Sequence, residues 1–222
     1  MTKKTALVVC PGRGTYNKAE LGYISQHVKQ LALIEQFDAV RAKRSLPMVS
    51  ELDQQSVFSR ALHLKAENAA ALIFAAGLND YQCIDPEQFD VVAITGNSMG
   101  WYTALGCAGA LSADKGMHLV SDMAMLTADG AGAQFIYPVI DDNWQPDSYR
   151  QALVDAQLQR HQGELFMSIA YGGYAVIAGT TNAVKAAMAE LPPCDDRFPL
   201  LLPGHAAFHT ALMQQASAKA LT

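Results

Sequence analysis

No stretch of the chain is apolar for long enough to span a bilayer, which needs about 20 consecutive apolar residues. Basic excess is also missing. Lysine and arginine total 16 against 21 acidic residues, a net charge of −5, and no cluster of cations offers a nucleic-acid surface. Cysteine is sparse: Cys10, Cys83, Cys107 and Cys194 lie far apart, without metal-ligand spacing or the density of a disulfide framework. Three of them sit in apolar surroundings and read as buried thiols of a reducing, cytoplasmic setting. Arginine is absent between Arg60 and Arg150. Charged residues make up only 17% against 50% hydrophobic, which argues against disorder. The basic Met1–Lys4 before Thr5–Cys10 has too short an apolar run for a secretion signal, and Pro11-Gly12-Arg13-Gly14 ends it. A first strand is the better reading.

What is present is organised around Val91-Val92-Ala93-Ile94-Thr95-Gly96-Asn97-Ser98-Met99-Gly100. An apolar run enters Gly-x-Ser-x-Gly and leaves into a segment able to form a helix. Strand, sharp turn and helix are the context that turns this short pattern into a nucleophile elbow. Without that context the same five residues would fit an ordinary turn with a capping serine. In an elbow Ser98 projects its hydroxyl from the turn, and the following helix aims unpaired amides at the site of a developing oxyanion.

Taken in order, residues 5–10 read as a buried strand, followed by a glycine-rich loop at 11–15. That loop lacks the endings of a phosphate-binding or dinucleotide motif. Leu21, Ile24, Val28, Leu31 and Ile34 predict a helix over 19–36, and residues 37–66 a short helix and a loop. The alanine-rich run 67–78 predicts a buried helix, 90–95 the elbow strand and 99–108 the elbow helix. Ser112 caps a further helix containing Met117, Met123 and Leu126. After Gly130-Ala131-Gly132-Ala133 the pattern changes: strand 134–140, helix 146–159, strands 165–171 and 174–179 about Gly172-Gly173, a helix over 182–190 capped by Thr181, and a last strand at 200–202. This β-α-β-β-α-β order is that of a ferredoxin-like unit.

Four segments, in order, resemble the malonyl-CoA:acyl-carrier-protein transacylase family, which includes the acyltransferase domains of fatty-acid and polyketide synthases. Cys10-Pro11-Gly12-Arg13-Gly14-Thr15 is similar to the family's Phe-Pro-Gly-Gln-Gly-Ser. Gly96-Asn97-Ser98-Met99-Gly100-Trp101-Tyr102-Thr103-Ala104-Leu105 resembles its Gly-His-Ser-Leu-Gly-Glu-Tyr-Ser-Ala-Leu. Tyr174–Gly179 resembles a strand of its ferredoxin-like subdomain, and Phe208-His209-Thr210-Ala211-Leu212-Met213 its Ser/Phe-His-x-x-Leu-Met. The resemblance implies an α/β-hydrolase-like parallel-sheet domain, residues 1–132 and 203–222, with a ferredoxin-like subdomain inserted at 133–202. It implies an acyltransferase that moves an acyl group from coenzyme A to a phosphopantetheine carrier, with no tightly bound cofactor and no metal. Ser98 is then the nucleophile, His209 the general base, and the backbone amides of Arg13 and Met99 the oxyanion donors. His205 is a rival base.

Departures from the family sharpen the expectation. Asn97 stands where the family has histidine, and Trp101 where it has glutamate; both would line the substrate pocket. The arginine that pairs with malonate in the family corresponds to Met123. A malonyl carboxylate would lack its bidentate partner there, which predicts an uncharged acyl group. Arg13 is a replacement cation to weigh against that. Family members also continue beyond the histidine, so a partner or a missing segment is expected to complete the C-terminal side of the site. No acid is assigned to complete a triad with the imidazole; Asp90, Asp114 and Asp122 are the nearest by sequence logic. Two other readings stay open: a thioesterase or hydrolase on the same Ser-His site, and a catalytically reduced acyl-binding module of a synthase complex.

Overall fold

A computed structural model describes residues 2–128 and 130–221. The chain divides into two compact units, residues 1–125 and 126–222.

In the first unit, strands β1 (Lys4–Cys10) and β2 (Phe89–Gly96) pair in parallel, and the register ends with Cys10 opposite Gly96. Between them run helices α1 (Tyr23–His27), α2 (Leu31–Ala42), α3 (Val49–Asp53), α4 (Arg60–His63) and α5 (Ala66–Gln82). Helix α5 is the core element. Its alanine-rich stretch, with Leu72, Ile73, Phe74 and Leu78, is buried as its composition predicts. Phe74 meets Phe37 edge-on at 5.6 Å. Helices α6 (Gly100–Cys107) and α7 (Ala113–Leu126) follow β2. Gly116 on α7 lies so close to the Phe74 ring that an added Cβ would fall 2.4 Å from it.

The single helix expected over 19–36 is broken. Gly22 takes a left-handed conformation (φ 86°), and Val28 is extended. Asn79 of α5 bridges the second break: its Oδ1 accepts from Lys29 N and its Nδ2 donates to His27 O, each at 3.1 Å. The helix then resumes as α2 and runs to Ala42, beyond its expected end.

Two buried charges fasten the connections. Arg41 donates to the carbonyls of Pro47 (2.6 Å) and Glu67 (2.9 Å) and to Asn68 Oδ1 (2.6 Å). Burial pushes its pKa down to about 10. Asp53 accepts from Ile24 N (3.0 Å), Ser25 N (2.8 Å), Ser25 Oγ and Tyr16 OH, which ties the segment after β1 to α3.

In the second unit, β3 (Ala133–Pro138), α8 (Ser148–Arg160), β4 (Leu165–Ala170), β5 (Tyr174–Gly179), α9 (Thr181–Glu190) and β6 (Leu200–Leu201) reproduce the expected β-α-β-β-α-β order. The sheet order is β4-β5-β3-β6, antiparallel throughout. Asp147 caps α8 by accepting from Tyr149 N and Arg150 N. Thr180, one residue before the expected cap, caps α9 through Ala183 N. Phe135, Ile177, Val154, Val184 and Leu191 form the core between sheet and helices.

The fold class is therefore mixed α/β, a parallel pair in one unit and an antiparallel ferredoxin-like sheet in the other. The stretch after β6, assigned from sequence to the first domain, groups with the second unit and ends in α10 (Gln214–Ala220). Ala207 N donates to Ala131 O at 3.0 Å, and Gln134 Nε2 to Phe208 O at 3.2 Å.

Candidate active site

The elbow is built by close backbone approach. Ser98 sits at φ 53°, a conformation that non-glycine residues adopt rarely and at a cost of about 1–2 kcal/mol. Two glycines make the turn possible. A Cβ at Gly96 would lie 2.2 Å from the carbonyl carbon of Gly100, and one at Gly100 would lie 2.1 Å from the Cys10 carbonyl oxygen. Asn97 N donates to that same oxygen at 3.1 Å, so the end of β1 buttresses the turn. Asn97 O accepts from Gly100 N (2.8 Å) and Ser98 O from Trp101 N (3.1 Å), which launches α6 with Met99 at its N-cap.

The glycine-rich loop closes over this turn. An added Cβ at Gly12 would stand 3.0 Å from Asn97 Nδ2 and 3.5 Å from Ser98 Cβ. The structure thus brings the Gly12-Arg13 segment, Asn97, Ser98 and Met99 together. Tyr16, buried and bonded to Asp53, anchors the far side of the loop. Arg13 is half-buried; desolvation lowers its pKa, and the charge of Glu67 partly offsets this. Beneath the elbow the thiols of Cys10 and Cys107 are in hydrogen-bond contact, and burial raises the pKa of both, Cys107 to about 12. These two cysteines alone are buried, where the sequence suggested three; Cys194 is half-buried and Cys83 exposed.

The other expected residues of this unit are placed on β2, α6 and α7. Trp101 is exposed on α6, 55% accessible, and Met123 is half-buried on α7. The candidate acids are otherwise placed. Asp122 pairs with Arg44. Asp114 bonds Ser112 and the Lys115 backbone at the start of α7, which lowers its pKa. Asp90 is exposed on β2. Among the described residues, no group of three or more His, Cys, Asp or Glu could hold a metal ion, and no helix is long and apolar enough to cross a membrane.

In the second unit, His209 also adopts a left-handed backbone, φ 58°. Its ring keeps solvent access, yet desolvation lowers its pKa from the ordinary value of 6.5. The neutral imidazole, the form that accepts a proton, is therefore favoured at neutral pH. The rival His205 is engaged: its Nδ1 lies 2.8 Å from Gln134 Oε1, and its ring meets Phe208 edge-on at 5.6 Å. Gln134, 2% exposed, and Ser168 carried no signal in the sequence. Each is a single polar residue on a strand, and the partner they share, Phe208 O, lies 74 and 40 positions away.

No family model matches the chain. Malonyl CoA-acyl carrier protein transacylase of Haemophilus influenzae is 27% identical over 155 residues, covering 67% of this chain and 46% of its own length. The chain thus spans about half of that curated relative. Among solved structures, the malonyl-CoA:ACP transacylase of Synechocystis sp. PCC 6803 superposes with a TM-score of 0.73 at 22% identity, covering 98% of this chain and 68% of that one. A malonyl-transacylase in complex with a type II polyketide acyl-carrier protein gives a TM-score of 0.71 at 22% identity, with coverages of 98% and 68%. With the elbow, the glycine-rich loop and the ferredoxin-like unit in this order, the chain shares the fold of solved malonyl-CoA:acyl-carrier-protein transacylases and is similar in sequence to one of them over part of its length.

Proposed function

We propose that the protein transfers an uncharged acyl group from a coenzyme A thioester to a phosphopantetheine carrier through an acyl-Ser98 ester. The observation that carries this reading is the elbow, with Ser98 at φ 53° and the Gly12-Arg13 loop closed over it. Ser98 Oγ attacks the thioester carbonyl while His209 takes its proton. The oxyanion develops against the amides of Met99 and Arg13, and the C–S bond breaks as His209 returns the proton to the departing thiolate. In the second half, His209 takes the proton of the carrier thiol as its sulfur attacks the ester carbonyl, and returns it to Ser98 Oγ as the C–O bond breaks. The likeness of Phe208-His209-Thr210-Ala211-Leu212-Met213 to the family's Ser/Phe-His-x-x-Leu-Met supports His209 as the base.

The acyl preference rests on position 123. With methionine there, and no arginine between Arg60 and Arg150, a malonyl carboxylate loses its pairing partner. Burying an unpaired carboxylate is costly enough to reverse preference.

Intact-mass measurement after incubation with acetyl-, hexanoyl- and malonyl-CoA tests the reading. The expected result is an acetyl or hexanoyl adduct that is absent in Ser98→Ala. Free acid released without an adduct would instead favour hydrolysis by the same groups. Absence of both adduct and turnover would favour an acyl-binding module and overturn the enzymatic reading.

A further inference from the structure

We infer that Gln134 and Ser168 are positioning residues for His209, acting through the carbonyl of Phe208. The inference rests on the reading of His209 as the base. The Phe208 carbonyl accepts two hydrogen bonds, from Ser168 Oγ at 2.9 Å and from Gln134 Nε2 at 3.2 Å. Gln134 Nε2 also reaches Ser168 Oγ at 2.7 Å, so the two donors form one unit although β5 lies between their strands, β3 and β4. The other end of Gln134 is occupied as well. Because the Phe208 carbonyl can only accept, the amide nitrogen faces it, and Gln134 Oε1 is turned to His205 Nδ1 at 2.8 Å.

The geometry has a direct consequence for the next residue. The Phe208 carbonyl shares a rigid peptide plane with the nitrogen and Cα of His209. Two donors fixing that oxygen fix the plane, and with it the origin of the His209 side chain. The plane requires fixing because His209 is left-handed, a state that persists only where its surroundings over-determine it. The turn is held on its other sides too. Phe208 N donates to Ala206 O (2.8 Å), Ala207 N to Ala131 O (3.0 Å) and Thr210 Oγ1 to Ala207 O (2.6 Å). His205 thereby acquires a role: it orients the amide that orients the backbone of His209.

The test uses Ser168→Ala and Ser168→Thr in the full chain, with acetyl-CoA as acyl donor. Small displacements of a reacting group cost on the order of 100-fold in rate. Ser168→Ala is expected to lower the acylation rate constant roughly ten- to 100-fold with KM within about twofold, because the perturbed group is a base and not a binding contact. Ser168→Thr, which keeps the hydroxyl, is expected to restore the rate to within about threefold. A second readout is independent of activity: the backbone amide resonances of His209 and Thr210 move in Ser168→Ala and stay in place in Ser168→Thr. Should the alanine variant fail to fold, Ser168→Cys, a weaker donor of similar size, carries the same test. Wild-type rates and resonances in Ser168→Ala would overturn the inference, and so would a rate loss with His209 unmoved. If His209→Ala acylates at the wild-type rate, the base assignment fails. A shifted His209 resonance in Ser168→Ala would then still support the positioning.

Discussion

Replacing Gly100 with alanine sets two effects of opposite sign against each other. Gly100 opens helix α6, and glycine to alanine within a helix ordinarily stabilises by up to about 1 kcal/mol. The new Cβ, however, would lie 2.1 Å from the Cys10 carbonyl oxygen and 2.8 Å from both the Cys10 carbonyl carbon and the Pro11 oxygen. An unstrained C···O contact is about 3.3 Å, so the backbones must part by about 1 Å. The obstructing atoms are main chain at the end of β1, and no side-chain rotation relieves the clash. Overpacking of this kind costs about 1–3 kcal/mol, and more where the obstacle is backbone. We expect Gly100→Ala to destabilise the chain by about 3 kcal/mol in urea denaturation at unchanged m-value. Acyl-Ser98 formation should slow by about 100-fold, since the same displacement moves the Ser98 turn. Gly109→Ala is the control. Gly109 is left-handed at φ 70° with nothing within 4 Å of the added carbon, so only the backbone penalty of about 1 kcal/mol applies, and acylation should hold. A Gly100→Ala chain as stable as the wild type, or more stable, would refute the steric argument, because helix propensity would then have outweighed the contact.

Three further outcomes follow from the described geometry. With the His209 pKa below 6.5, the acid limb of the acylation rate should fall below pH 6.5; a midpoint at or above 6.5 in a pH 4.5–8 series would contradict the desolvation. The same shift makes the folded state bind a proton less readily than the unfolded chain, so the His209 contribution to stability is present above the unfolded value and is lost as pH falls through the folded one. Asp53→Ala leaves Ile24 N, Ser25 N and Tyr16 OH without their acceptor; with about 1–3 kcal/mol per unsatisfied buried group, a loss of about 3 kcal/mol or more is expected by chemical denaturation. Met123→Arg should raise the malonyl adduct relative to the acetyl adduct in intact-mass competition, and an unchanged ratio would remove position 123 from the specificity argument.

The elbow was legible in the sequence because each of its residues answers a local demand. Gly96 and Gly100 are required by contacts within a few positions or across one strand pair, and Ser98 by the turn itself. The ferredoxin-like order was legible for a similar reason, with strand and helix periods punctuated by Gly172-Gly173 and by caps near Asp147 and Thr180. The break at Val28 was not. The apolar spacing from Leu21 to Ile34 is compatible with one helix, and the interruption depends on Asn79, about 50 residues away. Gln134, Ser168 and Asp53 were missed because nothing in a strand or helix pattern announces the distant donors and acceptors that they satisfy. The grouping of residues 203–221 with the second unit likewise follows from contacts such as Ala207 to Ala131, which no periodicity encodes.

The strand pair beneath the elbow has a consequence for how the protein behaves in bulk. Parallel strands are normally covered on both faces. Here Leu7, Val9 and Val92 are each about 60% exposed on β1 and β2. Burying such side chains releases about 1.5–3 kcal/mol apiece, so the three leave on the order of 4 kcal/mol of hydration free energy unspent at the surface. That is a colloidal property more than a folding one. It makes self-association rise with protein concentration and with sulfate, and fall with mild urea, while the secondary structure stays constant.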